Sequence, residues 1–296
     1  MTFFVEDEIA SQPDCWQRAI ELAPEVADRL PQAGERVAFV GCGTSWFMAQ
    51  VAAAWWEGNG KGEADAWTAD EFAYTRRYDR VVAITRSGTT SEVLEVLEKL
   101  AGSVKTTVLL GAQDTPATKV ADQVVDLSFA DEQSVVQTRF ATTVLALLRA
   151  HIGVDTSSLV EAGRQALTVE LPDAWVTSEQ VTFVGRHWSV GLANEAALKF
   201  RESSSSWAES YPALDYRHGP ISIASTNRLV WCFGEAPAGL ADQVSATGAT
   251  FIDHDLDPVA DLVVAQRLAI ARAVRLGLNP DQPRNLSRSV VLDDES

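Results

Sequence analysis

Cysteine, histidine and positive charge are all scarce in this chain. Its 296 residues include three cysteines, Cys15, Cys42 and Cys232, and four histidines, His151, His187, His218 and His254. An odd, widely spaced set of thiols does not read as a disulfide framework. No Cys/His group has the spacing of a zinc site, so neither a metal nor another cofactor is expected. Lys and Arg total 24 against 41 Asp and Glu, a formal net charge of -17. A field of that sign repels nucleic acid and anionic membrane surfaces, so neither is expected as a partner. A phosphorylated small molecule stays possible, because helix N-termini bind phosphate locally whatever the global charge. Long apolar runs are also missing. Nothing approaches membrane-spanning length, and residues 1–8 carry acids where a signal peptide would be apolar. A reducing cytoplasm is the expected location.

What is present is a core and a rhythm. Hydrophobic residues make up 46% of the chain, and β-like runs alternate with amphipathic helical ones, which predicts an α/β fold. Residues 14–30 read as a helix through Trp16, Ile20, Ala23, Ala27 and Leu30. A short strand, Arg36 to Val40, runs into Gly41-Cys42-Gly43-Thr44-Ser45 and a helical stretch from Trp46 to Glu57. A second strand, Arg80 to Thr85, runs into Arg86-Ser87-Gly88-Thr89-Thr90 and a helix from Ser91 to Leu100, with Thr89 and Glu92 spaced as a capping box. Strands follow at Thr106–Leu110 and Val124–Leu127, then an apolar helix over 135–152.

The pattern then starts over. Phe183-Val184-Gly185 and Ser189 match Phe39-Val40-Gly41 and Ser45 at one constant offset, and Ala193, Ala196 and Ala197 match Ala49, Ala52 and Ala53. The strand Arg80–Thr85 has its echo in Arg228–Phe233. Two matches in order point to an internal duplication, with a seam near residues 153–175. The copies have diverged. The first keeps Ser87-Gly88-Thr89-Thr90 after its strand, whereas the second has the hydroxyl-free, acidic Gly234-Glu235-Ala236-Pro237.

Two constellations carry candidate chemistry. The loop Thr85–Thr90 joins a strand to a helix, where parallel sheets bind ligands. Unpaired helix N–H groups, the hydroxyls of Ser87, Thr89 and Thr90, and a glycine that lets the backbone come close would together hold a phosphate. Helix capping alone is the plainer account. In the second half, Glu195, Lys199 and Glu202 fall on one helix face. They could form a solvated ladder, or a partly buried stripe that tunes Glu202 as a proton carrier. His218 lies in an Arg-His-Gly-Pro loop, where proline and glycine fix the backbone and functional residues are often found. Cys42, with no histidine near it in sequence, reads as structural.

On Cys42-Gly43-Thr44-Ser45, Ile84–Thr90, Asn194–Glu202, Ala208–Tyr211, His218-Gly219-Pro220 and Asp281–Ser289, the chain resembles the sugar isomerase (SIS) family. The likeness is to the isomerase half of glucosamine-6-phosphate synthase and to related phosphosugar isomerases and deaminases. It implies two SIS subdomains, each a parallel sheet flanked by helices, related by pseudo-twofold symmetry. The division it implies is a helical segment (1–34), a phosphate-binding subdomain (35–155), a catalytic subdomain (156–285) and a tail near the active site (286–296). It implies a homodimer with shared active sites. Glu202 is the implied base and His218 the implied ring-opening acid/base. The implied binding set is Cys42, Gly43, Thr44, Ser45, Thr85, Arg86, Ser87, Thr90, Gln137 and Arg288. The implied activity is isomerisation or deamination of an open-chain hexose or aminohexose 6-phosphate. The alternative is a regulatory SIS protein that binds a sugar phosphate without catalysis. Two departures stand out. There is no glutaminase part, so this chain is not expected to draw ammonia from glutamine by itself. Arg288 stands where the synthase has a lysine, and arginine does not lose the proton that imine formation requires.

Overall fold

The computed structural model describes residues 3–292, and the secondary structure of these residues is all helix and parallel strand. In chain order the elements are α1 (Phe4–Ala10), α2 (Gln12–Leu22), β1 (Val37–Gly41), α3 (Thr44–Gly58), β2 (Ala64–Thr68), β3 (Arg80–Thr85), α4 (Ser91–Leu100), β4 (Lys105–Leu110), α5 (Ala117–Val120), β5 (Gln123–Asp126), α6 (Arg139–Ile152), α7 (Leu159–Ala166), α8 (Asp173–Val176), β6 (Gln180–Gly185), α9 (Ser189–Ser204), β7 (Ala208–Pro212), β8 (Arg228–Phe233), α10 (Leu240–Ser245), β9 (Thr250–Asp253) and α11 (Pro258–Arg275). The chain forms two compact units. One holds the described residues up to Pro13 together with 157–286; the other holds 14–156 and the tail from Ser287. Each is taken by itself below.

The unit built on β1 has a five-stranded sheet in the order β2-β1-β3-β4-β5, and the unit built on β6 has a four-stranded sheet in the order β7-β6-β8-β9. All the pairings are parallel. The central strands β1, β3 and β6 are buried along their whole length. That is why they read as mostly apolar runs, with only scattered polar residues such as Thr182. In each sheet the chain leaves the central strand, crosses to an edge strand on one side, and returns on the other side. The carboxyl ends of β1 and β3, and of β6 and β8, therefore flank a topological switch point, where open parallel sheets leave a crevice.

The repeated glycine-serine pair has a steric cause. A Cβ on Gly41 would lie 2.7 Å from the Ser45 carbonyl carbon, and one on Gly185 would lie 2.3 Å from the Ser189 carbonyl oxygen. The first turn of α3, and likewise of α9, presses directly on the last residue of the strand before it. Only a residue without a side chain fits there.

Three local expectations change. The helix read over 14–30 ends at Leu22, and the chain continues in tight turns to Leu30. Pro24 has no N–H to continue the ladder, and its ring clashes with the preceding turn. The helix read over 135–152 starts at Arg139. Glu132, outside the helix, accepts hydrogen bonds from the Thr138 and Arg139 amides at 2.6 and 2.8 Å and so fixes its start. The capping box of Thr89 and Glu92 does not form: the N-cap is Thr90, with no side-chain cap bond. At the other end of the chain, the Asp281 carboxylate accepts from the Phe4 and Val5 amides at 2.8 and 2.9 Å and caps α1. Among the described residues no helix is long and apolar enough to cross a membrane.

Replacing Gly41 or Gly185 by alanine should lower unfolding free energy by about 1–3 kcal/mol, the usual cost of overpacking. Gly58→Ala, where an added Cβ meets nothing within 4 Å, should stay within about 0.5 kcal/mol of the parent. Urea denaturation of the three variants checks this; equal losses would remove the steric argument.

Candidate active site

In the unit built on β1, the loop after β3 is wound tightly before α4 begins. Gly88 has φ +64°, and a Cβ there would lie 2.1 Å from the Thr115 hydroxyl. The Gly88 amide donates to Thr85 Oγ1 at 3.2 Å, and the Thr89 amide donates to Ser87 Oγ at 3.2 Å. Thr85 thus serves the turn itself. The other hydroxyls converge. Ser87 and Thr89 donate to the Ser289 hydroxyl at 3.1 and 2.9 Å, and Thr90 Oγ1 stands 3.5 Å from the same oxygen. Three hydroxyls aimed at one oxygen, above the start of a ten-residue helix, are what an anion needs: directed donors and a partial positive charge.

Across the switch point, Thr44 and Ser45 are buried in the first turn of α3. Gly43 has φ +54°, and the Ser45 amide donates to the Cys42 carbonyl at 3.1 Å, closing the turn. Cys42 packs against the core beneath the sheet. Burial pushes its thiol up to about 11, so little thiolate exists near neutral pH and a nucleophilic role is disfavoured.

Arg86 is not aimed at the ring of hydroxyls. Its guanidinium is buried and donates to Glu132 at 3.5 Å and to the carbonyls of Ser134, Val135 and Arg288 at 3.0, 2.9 and 3.1 Å. Burial pulls its pKa down, and the charge of Glu132 opposes that. Arg288 pairs with the Asp131 carboxylate and the Glu132 carbonyl. Both arginines therefore fasten the 131–135 corner, and Arg86 also bonds the backbone of the tail. Gln137 lies just before α6, and its buried side-chain oxygen has no hydrogen-bond partner among the described residues.

In the unit built on β6, the helix α9 carries the charged stripe. The ladder is not solvated: Glu195 is 0% and Lys199 1% exposed. The Lys199 ammonium stands 3.4 Å from Glu195 and is bonded to Glu202 Oε2, whose side chain keeps 19% of its exposure. A buried cation thus holds Glu202 in one orientation while leaving its carboxylate reachable. His218 ends a short 3-10 turn, Asp215–His218, and is exposed. Glu209 on β7 accepts from Trp207 Nε1 and Tyr211 Oη, each at 3.0 Å.

Sequence reasoning named the loop, Glu202 and His218 but did not single out Ser289, which lies within the quoted motif Asp281–Ser289. It placed Lys199 beside Glu202 on one helix face but gave it no role of its own. The signal for Lys199 was its place between two glutamates on an otherwise apolar helix. For Ser289 no local signal existed, because its partners are about two hundred residues away in sequence.

Residues 30–152 match the family model of the SIS domain. The glutamine–fructose-6-phosphate aminotransferase (isomerizing) of Pseudomonas aeruginosa is 25% identical, over 98% of this chain and 59% of its own length. That of Pyrococcus horikoshii is 27% identical, over 98% of this chain and 58% of its own. The chain thus spans less than two thirds of these relatives. Among solved structures, glucosamine-6-phosphate deaminase from Thermotoga maritima superposes with a TM-score of 0.78 at 24% identity, covering 97% of this chain and 99% of that one. The C-terminal domain of glucosamine-fructose-6-phosphate aminotransferase from Francisella tularensis gives 0.76 at 21%, covering 96% and 99%. Tagatose-6-phosphate ketose/aldose isomerase from Escherichia coli gives 0.75 at 17%, covering 98% and 96%. Residues 30–152 thus resemble an SIS domain, and the chain is built of two parallel-sheet α/β units, a fold it shares with these solved structures. Over its whole length it resembles the isomerase part of these aminotransferases and, in fold, phosphosugar isomerases and deaminases.

The two arginines at the 131–135 corner should differ sharply. Arg86→Met strands the carboxylate of Glu132 in the interior and should cost about 3–5 kcal/mol of stability. Arg288→Met removes a pair about one third exposed on each side and should cost about 0–1 kcal/mol. Chemical denaturation of both variants measures the difference; a tolerant Arg86 would mean that water reaches the pair.

Proposed function

We propose that the chain is a phosphosugar isomerase or deaminase that moves protons on an open-chain hexose 6-phosphate or aminohexose 6-phosphate. The observation that carries this reading is the convergence of the Ser87, Thr89 and Thr90 hydroxyls on a single oxygen position at the start of α4. A tetrahedral anion with several equivalent oxygens suits that arrangement. Ser45, from the facing strand end, belongs to the same crevice. Binding a phosphate remote from the reacting carbons fixes the sugar's orientation without taking part in the bond changes.

The division of labour follows the two halves. Residues 35–155 hold the phosphate, residues 156–285 supply the acid and the base, and the described tail residues 287–292 lie against the phosphate loop. Glu202 takes the proton from the carbon beside the carbonyl and returns it to the neighbouring carbon. Such a base must be oriented and accessible at once, and the Lys199 pairing with partial exposure gives Glu202 both properties. His218 passes a proton between the anomeric hydroxyl and the ring oxygen, opening the ring; its exposed loop fits a site completed in a homodimer. Arg288 does not form an imine, because guanidinium keeps its proton. Its pairing with Asp131 gives it a structural task instead. The curated relatives are named for isomerisation and the Thermotoga maritima structure for deamination, and both reactions begin with the same proton transfer.

The test is exchange in heavy water. Incubated with fructose 6-phosphate or glucosamine 6-phosphate, the protein should wash deuterium into C1 or C2, read by NMR, and ammonia release should accompany deamination. Glu202→Gln should lower the exchange rate by about 10²–10⁴-fold with phosphate-ester affinity within about twofold. Exchange at the parent rate in that variant would remove Glu202 from its role. Saturable binding with no exchange in the parent would favour a regulatory protein.

A further inference from the structure

The oxygen on which the cradle converges belongs to the chain itself. We infer that the tail segment Ser287–Leu292 is an internal competitor for the anion site, docked through the Ser289 hydroxyl and released when a phosphate binds. This rests on the reading of the Ser87–Thr90 loop as a phosphate cradle.

Four observations on the same segment support it. First, occupancy is exclusive. Ser289 Oγ lies 2.9–3.5 Å from three hydroxyl oxygens, which is hydrogen-bond contact distance, so a phosphate oxygen cannot share the position. Second, the segment also serves the helix start. The Val290 carbonyl accepts from the Ser91 amide at 3.3 Å, and the Leu292 amide donates to Ser91 Oγ at 2.9 Å. This replaces the side-chain cap that α4 lacks. Third, almost nothing apolar holds the segment down. Val290, Val291 and Leu292 are 52%, 63% and 56% exposed. The docked state therefore depends on polar contacts, which are individually weak in water. Fourth, one latch keeps the segment in reach: the Arg288 guanidinium on Asp131 and the Glu132 carbonyl, with the Arg288 carbonyl accepting from Arg86.

The competition is unequal by design of charge. A neutral hydroxyl and a neutral carbonyl satisfy the donors at the helix start, but they do little with its partial positive charge. A phosphate dianion engages both the donors and the charge. It therefore displaces the segment, while an uncharged sugar has nothing with which to do so. The docked segment thus selects for the phosphorylated form of the substrate. It also keeps the hydroxyls ordered until that form arrives.

Hydrogen exchange read by mass spectrometry on the whole chain, with and without saturating inorganic phosphate, decides the matter. The segment 287–292 should exchange faster with phosphate bound, while 85–91 exchanges more slowly. Ser289→Ala should bind inorganic phosphate about two- to tenfold more tightly than the parent, the worth of one or two lost competing hydrogen bonds. Asp131→Asn, which weakens the latch, should shift affinity in the same direction. If phosphate slows exchange in both segments, or if Ser289→Ala binds more weakly, the tail closes on the anion as a ligand. The competitor role is then wrong and the cradle stands. If neither the parent nor Ser289→Ala binds phosphate or changes exchange at 85–91, the cradle itself is wrong, and the inference falls with it.

Discussion

The structure depends on a close approach: the first turn of a helix set directly against the last residue of the strand before it. At Gly41 and again at Gly185 there is no room for a Cβ, so α3 and α9 can start immediately where their strands end. That places helix N-termini at the carboxyl edge of each sheet, beside the gap that the reversal of strand order opens. In the β1 unit the loop after β3 then adds its hydroxyls to the same edge. A glycine two residues into that loop, Gly88, lets it fold back on Thr115. The proposed anion site is thus a consequence of backbone packing first and of side-chain chemistry second.

Charge is arranged to match. A chain with a net charge of -17 is a poor attractor of anions at long range, so the proposed anion site must work at contact distance, through oriented donors. The arginine in the loop spends its donors inside the fold. Arg86 turns inward to Glu132, and Glu132 in turn fixes the start of α6. The buried pair sets the geometry of the corner against which the loop and the tail are fastened. Lys199 does the same kind of work in the β6 unit, where a buried ammonium between two carboxylates sets the orientation of Glu202.

The fold class was legible because buried parallel strands leave apolar runs, which are unbroken over most of β1, β3 and β8 and shorter in β4 and β6. The duplication was legible because the same steric demand selects Gly and Ser at the same spacing. Strands β2, β7 and β9 were not read as strands. Their sequences, Ala-Asp-Ala-Trp-Thr, Ala-Glu-Ser-Tyr-Pro and Thr-Phe-Ile-Asp, belong to half-buried strands at sheet edges, where the apolar signal fades. Hydroxyl-rich Ser87–Thr90 could be recognised as a loop at a helix start. What it faces could not, because Ser289 reaches it from the far end of the chain. The inward turn of Arg86, expected in the binding set, was hidden for the same reason: its carboxylate partner is 46 residues away. Residue types and local spacing give the parts of the site, and long-range contacts decide which parts meet.

The most direct measurement is a crystal structure of the chain with glucosamine 6-phosphate. The account predicts the phosphorus atom over the first turn of α4, within hydrogen-bond range of the hydroxyls of Ser87, Thr89 and Thr90. A phosphate bound elsewhere, with those three hydroxyls still turned to Ser289, would contradict it.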